Sequence, residues 1–554
     1  MTAPALVRLP SGKTDRVIIA PQDLRTTDAT RAGEIYSGRF AFAGKVVMCD
    51  ARSPFQIKPP SDEWAAALLG FGWLRHLRAA ESAITRANAR ALVDEWISHS
   101  SRNPIAWRPD VLARRIISWL SQATLVLDES DVRFYRRFIR SLTRQVRWLR
   151  HVMAEVRDGT PRSQAAIALT YAALCMQAQG RYIRAATERL ADELDRQILP
   201  DGGHISRNPG ALVDLLVDLL PLRQVFTSRN LPPPSALLNA IDRMMPMLRF
   251  FRHGDGHFAL FNGMGPTRTD LLTTILAYDD ARGMPVSNAP HSGFQRLEAA
   301  GTLVIMDTGR PPPIAASQEA HAGCLCFELS TKLHRIVVNC GVPGNNPESW
   351  RAMARTTAAH STVTFNDISS CRFLRFGPIK RLLGGTPIIG GPRRVTVVRE
   401  EENGTTRVCA SHDGYADAFG VIHQRSITLS RDGKRLDGEE FFQTTEADRS
   451  RADQFAVRFH LHPSIKASRV ADLHGAMLLL PNKEVWSFNA YEDRVEIEDS
   501  VYLSSTEGPR RTSQLVIHGR AREAPHVQWS FSFVAASPIG ISRRSRAEEP
   551  QLPL

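Results

Sequence analysis

The sequence predicts a multidomain α + β fold: an N-terminal α/α toroid built of helical hairpins, followed by a large C-terminal antiparallel β-sandwich. Apolar residues recur at three- and four-residue spacing between about 62 and 282, and they alternate with polar residues from 294 to 539. A stretch rich in proline, glycine and serine, 285–293, separates the two patterns. Because a chain of 554 residues is too long for one hydrophobic core, two to three domains are expected.

The first 60 residues are predicted to be irregular, with a few short strands such as the run Phe40-Ala-Phe-Ala-Gly-Lys-Val-Val. The start of the chain lacks the apolar stretch of a secretory signal, so no signal peptide is visible. No run reaches the roughly eighteen apolar residues of a membrane-spanning helix. The best, Ala211–Leu220, is interrupted by Asp214 and Asp218.

Amphipathic helical segments follow, joined by short links that contain Gly, Pro or Asn. Segments of similar length with short connections are typical of antiparallel helical hairpins packed in series, and the lack of a strict repeat period disfavours a solenoid. The predicted helices are Asp62–Ala80, Ile84–His99, Pro109–Leu127, Asp131–Val156, Ser163–Gln179, Arg184–Ile198, Ala211–Phe226, Pro234–Phe251 and Thr269–Ala281.

Many short alternating runs without intervening helices then predict the antiparallel sandwich. Examples are Thr302–Asp307, Arg335–Cys340, Ser361–Phe365, Arg394–Arg399, Gln514–His518 and Trp529–Val534. The predicted domains are an irregular segment at 1–60, the toroid at 61–284, the sandwich at 292–542 and a flexible tail at 543–554.

The charge balance favours an acidic partner. The net charge is +13, and arginine greatly outnumbers lysine. Guanidinium groups bind carboxylate, sulfate and phosphate alike. No helix-turn-helix, RNP motif or zinc finger is present and the charge is spread along the chain, so an acidic polysaccharide is the predicted partner and nucleic acid is not. The alternative is an incidental excess of positive charge on the surface. The sequence leaves the oligomeric state open.

No cofactor or metal is predicted. The seven cysteines are scattered without CxxC spacing, and no P-loop, dinucleotide fingerprint or Gly-x-Ser-x-Gly elbow occurs. The alternate spacing of His253, Asp255 and His257 suggests metal ligands, but a local run of three rarely supplies a complete site.

The densest cluster of possible chemistry lies between Arg355 and Tyr415. Arg355-Thr-Thr-Ala-Ala-His360-Ser-Thr-Val-Thr-Phe and Ser411-His-Asp-Gly-Tyr415 both show the alternation of half-buried strands. An imidazole and a phenol facing one groove can move protons to and from carbon and oxygen. The alternative for each is a structural role within the sheet, where a tyrosine packs its ring and bonds its hydroxyl to the backbone.

Two glycine-rich loops of the helical half carry further polar residues. Asp201-Gly-Gly-His204-Ile-Ser-Arg207-Asn-Pro209 opens a helix, and His253-Gly-Asp-Gly-His257-Phe-Ala-Leu-Phe-Asn262-Gly follows another. Each is either an ordinary connection or part of a cleft.

The stretch around His360, together with a helical half before a β half, resembles the heparinase II/III-like family of polysaccharide lyases. In layout the resemblance covers nearly the whole chain, and its motifs are clearest over 198–265 and 325–465. It implies a cleft between the two halves, β-elimination on a uronic-acid polysaccharide such as a glycosaminoglycan, and a bacterial protein of the cell envelope or periplasm. Since no signal peptide is visible, a cytoplasmic location is the alternative.

The resemblance also implies roles for residues. Elimination needs a neutralised carboxylate, a base for the C5 proton and an acid for the leaving oxygen. The residues assigned to catalysis are His360, as the base or a ligand of the carboxylate, and Tyr415 as the acid, with His204 or His257 as alternatives for the acid. Those assigned to the substrate are Arg207, His257, Asn262, Arg355, Arg162 and Gln164, the last two standing where relatives often carry an asparagine.

One departure keeps the alternatives open. Many members place a catalytic tyrosine two residues after the proline that matches Pro209, and this chain has Ala211 there. A catalytically degenerate protein that binds glycans or has a structural role in the envelope is therefore the main alternative. A glycosidase using Asp201 and Asp255 as paired carboxylates is a third reading.

Overall fold

The structure, a computed structural model, describes residues 15–50, 52–100, 103–278, 283–344, 348–374, 377, 385–444 and 453–536. The predicted tail at 543–554 lies outside these residues. Among them, helices dominate up to Leu276 and strands dominate from Asn288 onward.

The helices of the first part, in chain order, mostly coincide with the predicted segments. They are α1 Ala29–Tyr36, α2 Asp62–Leu69, α3 Leu74–Ala79, α4 Ala83–Glu95, α5 Pro109–Ser121, α6 Ala123–Leu127, α7 Val132–Val152, α8 Thr160–Cys175, α9 Ile183–Gln197, α10 Pro209–Ser228, α11 Ser235–Phe250 and α12 Thr269–Leu276. Two short helices of the second part are α13 Glu348–Ala354 and α14 Ala416–Phe419.

Local sequence sets the starts of the longest helices. The Asp131 side chain accepts hydrogen bonds from the backbone N–H groups of Arg133 and Phe134 and so caps α7. Asn208 caps α10 by accepting from the Gly210 N–H, and Pro209 occupies the first helical position, where its missing donor costs nothing. Helix α8 packs against α5, α9 and α10, which continues the series of hairpins.

An aromatic cluster breaks the predicted helix Asp62–Ala80 in two. Phe71 adopts a left-handed backbone conformation between α2 and α3, with φ +55°. Its ring contacts Trp73, Trp96 and Trp119 at centroid distances of 5.1, 5.7 and 5.6 Å. Tertiary packing of these buried rings therefore overrides the helical periodicity of the segment.

The strands begin with a hairpin near the N-terminus and then fill the second part. They are β1 Arg39–Phe42, β2 Lys45–Met48, β3 Asn288–Ala289, β4 Phe294–Ala299, β5 Thr302–Asp307, β6 Phe327–Thr331, β7 His334–Val338, β8 Val363–Phe365, β9 Arg372–Phe373, β10 Ile388–Gly390, β11 Val395–Glu402, β12 Thr405–Tyr415, β13 Val421–Leu429, β14 Arg435–Thr444, β15 Gln454–Leu461, β16 Lys466–Arg469, β17 Gly475–Leu479, β18 Glu484–Asn489, β19 Val495–Tyr502, β20 Arg510–Arg520 and β21 His526–Ala536.

Two large antiparallel sheets form the sandwich in the described part of the chain. One has eight strands in the order β11-β12-β13-β14-β21-β18-β17-β16. The other has nine, with the path β19-β20-β15-β7-β6-β5-β4-β3 and β8 paired to β15. The predicted fold class, a helical part followed by a large antiparallel sandwich, is confirmed.

The nine-stranded sheet is the middle of three layers. On β5, Leu303 and Ile305 join the core of the helical half, whereas Val304 and Met306 join the core between the two sheets. Because successive side chains of a strand point to opposite faces, β5 is apolar on both sides and all six of its residues are buried. The helical half therefore lies directly on the sheet that carries the candidate site.

Two local expectations were wrong. Helix α1 lies within the segment predicted to be irregular, and its N-cap Asp28 accepts a hydrogen bond from the Thr30 N–H. His360 was expected on a strand, but it follows a 3-10 turn at Thr357–Ala359, and the strand starts only at Val363. No described helix is long and apolar enough to cross a membrane.

Candidate functional site

A chain of buried polar side chains joins the helical half to the nine-stranded sheet. Its members, which we call the junction network, are Arg207, Asp307, Asn262, His321 and His360. Each contacts the next through a hydrogen bond, and none is more than 8% exposed. Three of them, Arg207, Asn262 and His360, were predicted as site residues from the sequence.

Arg207 begins the junction network from the loop before α10. Its guanidinium donates to the backbone carbonyls of Ser292 (2.7 Å), Gly293 (3.0 Å) and Arg310 (3.0 Å) and to the Asp307 carboxylate. It also stacks 4.6 Å from the centroid of Phe294. These contacts occupy nearly all the donors of the fork, so Arg207 fastens the two halves together and has little capacity left for a substrate carboxylate.

Asn262 continues the junction network from the loop after α11. Its amide donates to the second oxygen of Asp307 at 3.1 Å, and its carbonyl oxygen accepts from the His321 N–H at 3.2 Å. Burial raises the pKa of the Asp307 carboxyl, and the nearby Arg207 guanidinium partly offsets this rise. Asn262 has φ +47°, a left-handed conformation that asparagine tolerates better than most residues.

The two histidines at the end of the junction network contact each other edge to face. His321 Nδ1 lies 2.9 Å from His360 Nε2, and their ring centroids are 5.0 Å apart. Gly323 makes this approach possible, because a Cβ at that position would lie 2.8 Å from Cδ2 of His360.

The partners of the pair fix which nitrogens carry protons. His360 Nδ1 lies 2.8 Å from the carbonyl oxygen of Thr356, which can only accept, so this nitrogen is the donor. In the neutral ring His360 Nε2 then accepts from His321 Nδ1–H. Consequently, the one ring nitrogen of the two histidines with a free lone pair is His321 Nε2. This buried atom has no hydrogen-bond partner among the described residues.

Burial keeps both rings neutral. It lowers the pKa of His360 to about 4. It also lowers the pKa of His321 well below its usual value, and the neighbouring His360 and Arg355 lower it further. At neutral pH the pair is thus an uncharged, hydrogen-bonded unit whose one basic atom is His321 Nε2.

Two buried arginines hold the loops that carry the histidines. Arg355 donates to the carbonyls of Ala320 (2.8 Å) and Ser317 (3.0 Å), just before His321, and to Thr386. Burial lowers its pKa to about 10, so it is still cationic at neutral pH. These bonds hold the loop before His321, and the predicted contact of Arg355 with substrate stays a prediction.

Arg425, on β13 of the eight-stranded sheet, also holds the loops that carry the two histidines. Its Nη1 donates to the carbonyls of Leu325 (2.7 Å) and Ser361 (2.8 Å), which lie next to the two histidine loops. The charge of Arg425 is balanced by Glu440, which also contacts Nε2 of His423 at 2.7 Å and accepts from Trp529 Nε1 at 2.9 Å. Arg425, Glu440 and His423 are fully buried.

The remaining predicted residues lie in other environments. His204 Nε2 donates to Gln197 Oε1 at 3.2 Å, and Gln197 contacts Glu193, which pairs with Arg162 at 2.9 Å. The side chains of His204 and Arg162 thus share a network inside the helical half. Among the described residues, this network meets the junction network only through the backbone, where the Arg207 N–H donates to the His204 carbonyl at 2.7 Å. Gln164 is half-buried on α8.

The side chains of His257 and Tyr415 are bonded to groups outside the histidine pair. His257 is half-exposed and lies 3.3 Å from Asp255, whose carboxylate pairs with Arg335 at 2.9 Å. Tyr415 is 1% exposed, packs on Phe365 and donates its hydroxyl proton to the carbonyl of Val363 at 2.8 Å. Burial raises the pKa of the Tyr415 phenol far above its usual value, which makes it a poor acid.

Sequence reasoning missed His321, Asp307 and Arg425. His321 stands in a loop whose only local signal is its position before the buried run Cys-Leu-Cys-Phe-Glu-Leu, and Asp307 ends the strand Thr302–Asp307. A polar residue at the end of a buried strand is a weak signal that becomes meaningful only when its partners from other segments are known.

A metal site was not predicted. Among the described residues the one group with convergent ligand atoms is Glu496, Glu498 and His518 on the sheet surface. Glu498 already contacts Arg458 and His518, and exposed acidic groups of this kind are common without an ion.

Three comparisons place these observations among known proteins. The family description "Heparinase II/III-like, C-terminal" matches residues 281–530. FtsZ-localized protein C of Caulobacter vibrioides is 32% identical over 527 residues, which cover 92% of this chain and 89% of that protein. Solved structures of heparinase III (TM-score 0.69, 13% identity, 89% of this chain and 80% of that one) and of heparan sulfate lyase HepC from Pedobacter heparinus (TM-score 0.60, 15% identity, 97% and 85%) have the same fold.

Proposed function

The chain belongs to the heparinase II/III-like family, and from that premise we propose that it works by binding on a polysaccharide-lyase scaffold, as a protein associated with FtsZ, and that it does not cleave a glycan. The association is supported by the relative of 32% identity, which is named for its localisation with FtsZ. The family and the fold supply the scaffold. The absence of turnover is inferred from the geometry of the junction.

The observation that carries this proposal is that the polar groups expected to act on substrate are bonded within the protein. Arg207 and Arg355 donate chiefly to backbone carbonyls, and His360 has partners at both ring nitrogens. A carboxylate of a substrate would have to break these bonds before it could be neutralised. Each such bond lost in a buried setting costs about 1–3 kcal/mol.

The leaving-group acid is the second weak point. Position 211, where the resemblance to the lyase family implies a catalytic tyrosine, holds a buried alanine of α10. Tyr415 is in the core of the sandwich, with its hydroxyl bonded to Val363. Neither position offers a proton to a glycosidic oxygen, and general acid catalysis requires a donor about 3 Å from that oxygen.

Two measurements test the proposal together. Purified protein is sedimented with FtsZ filaments, and the same protein is incubated with a panel of uronate polysaccharides while unsaturated products are followed by absorbance, with heparinase III as the positive control. We expect co-sedimentation and no product. Product formation, or protein that stays in the supernatant, would contradict the corresponding half of the proposal.

The proposed location follows from the same association. A fluorescent fusion is expected to gather where FtsZ assembles, and a fusion spread evenly through the cell, or confined to the periplasm, would oppose it. The proposed location at FtsZ is more specific than the cell envelope expected from the resemblance, and imaging can test it.

A second candidate, β-elimination of an acidic polysaccharide, is favoured by one observation. His321 Nε2 carries a lone pair without a partner among the described residues, and it lies beside His360. If turnover is found, His321 is the base to test. His321→Ala should then reduce turnover by about 10²–10⁴, the usual contribution of a general base.

A further inference from the structure

Helix α7 has an unusual charge composition. Its 21 residues, Val132–Val152, contain seven arginines and no aspartate or glutamate. Helix α9, which also has an exposed face, mixes both signs and forms the pair Arg184–Glu188 at 2.9 Å. The excess of one sign on α7 is therefore a feature of this helix and not of the helical half in general.

Four of these arginines form one row on the exposed side of the helix. We call Arg133, Arg136, Arg140 and Arg147 the arginine row, and all four are exposed. At 100° per residue they fall within an arc of about 60°, and at 1.5 Å per residue they span about 21 Å along the axis. The arrangement is a narrow line of guanidinium groups and not a broad patch.

The arginine row has one nearby carboxylate in the described part of the chain, that of Asp131 at the N-cap of α7, which interacts electrostatically with Arg133 at the end of the row. No guanidinium group of the row forms an ion pair or a hydrogen bond to an acidic side chain there, whereas the adjacent Arg137 pairs with Asp94 at 2.7 Å. Like charges three and four residues apart on a helix repel by a few tenths of a kcal/mol. Arg136, Arg140 and Arg147 keep this repulsion without an ion-paired carboxylate among the described residues, which indicates an external counter-charge.

The opposite face of α7 excludes the hypothesis that this helix inserts into a lipid layer. Phe134, Phe138, Leu142 and Val146 are buried in the core of the helical half. They are unavailable for insertion into a lipid layer, as an interfacial helix would require. What α7 offers to a partner is its line of charge.

We propose that the arginine row is the docking surface for an extended acidic segment of a protein partner. The inference rests on the proposed function for the choice of a protein, since the relative is named for a protein that it accompanies. A strand-like chain rises about 3.4 Å per residue, so six to seven residues match the row. Alternate side chains of such a chain lie about 7 Å apart on one face, so three to four of its carboxylates fall along the row, and guanidinium groups bind carboxylates in bidentate fashion.

Fluorescence anisotropy of the full-length protein with a labelled octapeptide of alternating glutamate and serine tests the proposal. In one variant the row is changed as R133Q, R136Q, R140Q and R147Q. The matched control is R184Q, R393Q, R511Q and R520Q, which removes the same charge from exposed positions elsewhere. Circular dichroism checks that both variants fold.

We expect the row variant to bind the peptide at least ten-fold more weakly than the wild type and the control to stay within two-fold. Four exposed ion pairs of average strength are sufficient for this change. Affinity should also fall as salt rises from 50 to 200 mM. Equal affinities of the row and control variants would overturn the proposal.

Two further arms separate the sources of negative charge. An oligogalacturonate with the same number of carboxylates and phosphatidylglycerol vesicles are titrated in the same way. If the row variant loses affinity for either of these but not for the peptide, the protein partner is wrong. Failure of the wild type to sediment with FtsZ would contradict the proposed function alone, because the peptide assay does not contain FtsZ.

Discussion

The Nδ1 atom of His321 lies 2.9 Å from the Nε2 atom of His360, and this contact joins the loop before β6 to the loop before β8. The Thr356 carbonyl orders the protons of both rings, because it requires a donor at His360 Nδ1. The pair is therefore a buried structural link with one free basic atom. The pair has two roles, linking the two loops and accepting a proton, and mutation can separate them.

The structural role of the pair predicts that His360→Ala lowers the free energy of unfolding by about 1–3 kcal/mol, because the ring Nδ1–H of His321 loses its partner in a buried setting and the Thr356 carbonyl loses one of its two donors. Urea denaturation measures the change. The control is His518→Ala, since His518 is about half exposed on the sheet surface, and a loss below about 0.5 kcal/mol is expected there. An unchanged midpoint for His360→Ala would contradict the structural role.

Arg207 is predicted to be among the most sensitive positions in the chain. Arg207→Met should lower the free energy of unfolding by about 3–5 kcal/mol, because it removes the cationic partner of the buried Asp307 and the hydrogen bonds that Arg207 donates to three carbonyls. Methionine has about the length of the aliphatic part of arginine. Like arginine, it is an L-residue with a Cβ, so the cost of the left-handed conformation at φ +59° is unchanged by the substitution.

The control for this prediction is Arg268→Met. Its pair with Asp214 is about half exposed at both partners, so a loss of less than about 1 kcal/mol is expected. Denaturation of both variants followed by tryptophan fluorescence compares them. Similar losses for Arg207 and Arg268 would mean that the junction network does not fasten the two halves.

The fold was predictable because its periodicity is strong. Nearly every predicted helix from 62 to 281 has a counterpart, since caps such as Asp131 and Asn208 agree with the apolar pattern. The predictions of secondary structure failed where contacts between residues distant in sequence determine the local conformation. Phe71 leaves the helix to join buried tryptophans, and no local pattern predicts that.

The site was less predictable for the same reason. Arg207, Asn262 and His360 were named from motifs, but their partners Asp307 and His321 come from other segments. A sequence motif identifies the type of a residue but does not show which atoms its side chain contacts in the folded protein. Arg355 was predicted to bind substrate, and its donation to the carbonyls of Ser317 and Ala320 could not be predicted, because only the folded chain brings them near.

The buried histidines predict a stability that falls in weak acid. Burial lowers the pKa of His204 to about 4 in the folded protein, whereas an unfolded histidine titrates near 6.5. Between these values the unfolded state binds more protons, so stability is complete above about pH 6.5 and decreases as the pH falls toward 4. His204→Gln should remove up to about 1.4 kcal/mol per pH unit from this slope.

Chemical denaturation between pH 4 and 7.5 measures the slope for His204→Gln. The matched comparison is Gln197→Ala, which removes the hydrogen-bond partner of His204 but keeps the imidazole. That variant should be less stable at neutral pH and retain a steep acid slope. If His204→Gln keeps the slope of the wild type, His204 is not among the groups that cause the acid sensitivity.

Tyr415 distinguishes packing from catalysis most directly, because Tyr415→Phe keeps the ring and removes only the hydroxyl. The hydroxyl donates to the Val363 carbonyl within the core, so the free energy of unfolding should fall by about 0.5–1.5 kcal/mol. Tyr36→Phe, at a residue 64% exposed, should leave stability unchanged and serves as the control. Co-sedimentation with FtsZ should be the same for both variants, because neither hydroxyl belongs to the arginine row or to the junction network. A variant at Tyr415 that is fully stable, and that abolishes a glycan-cleaving activity measured in the wild type, would restore this phenol as the acid and make β-elimination the better account of the protein.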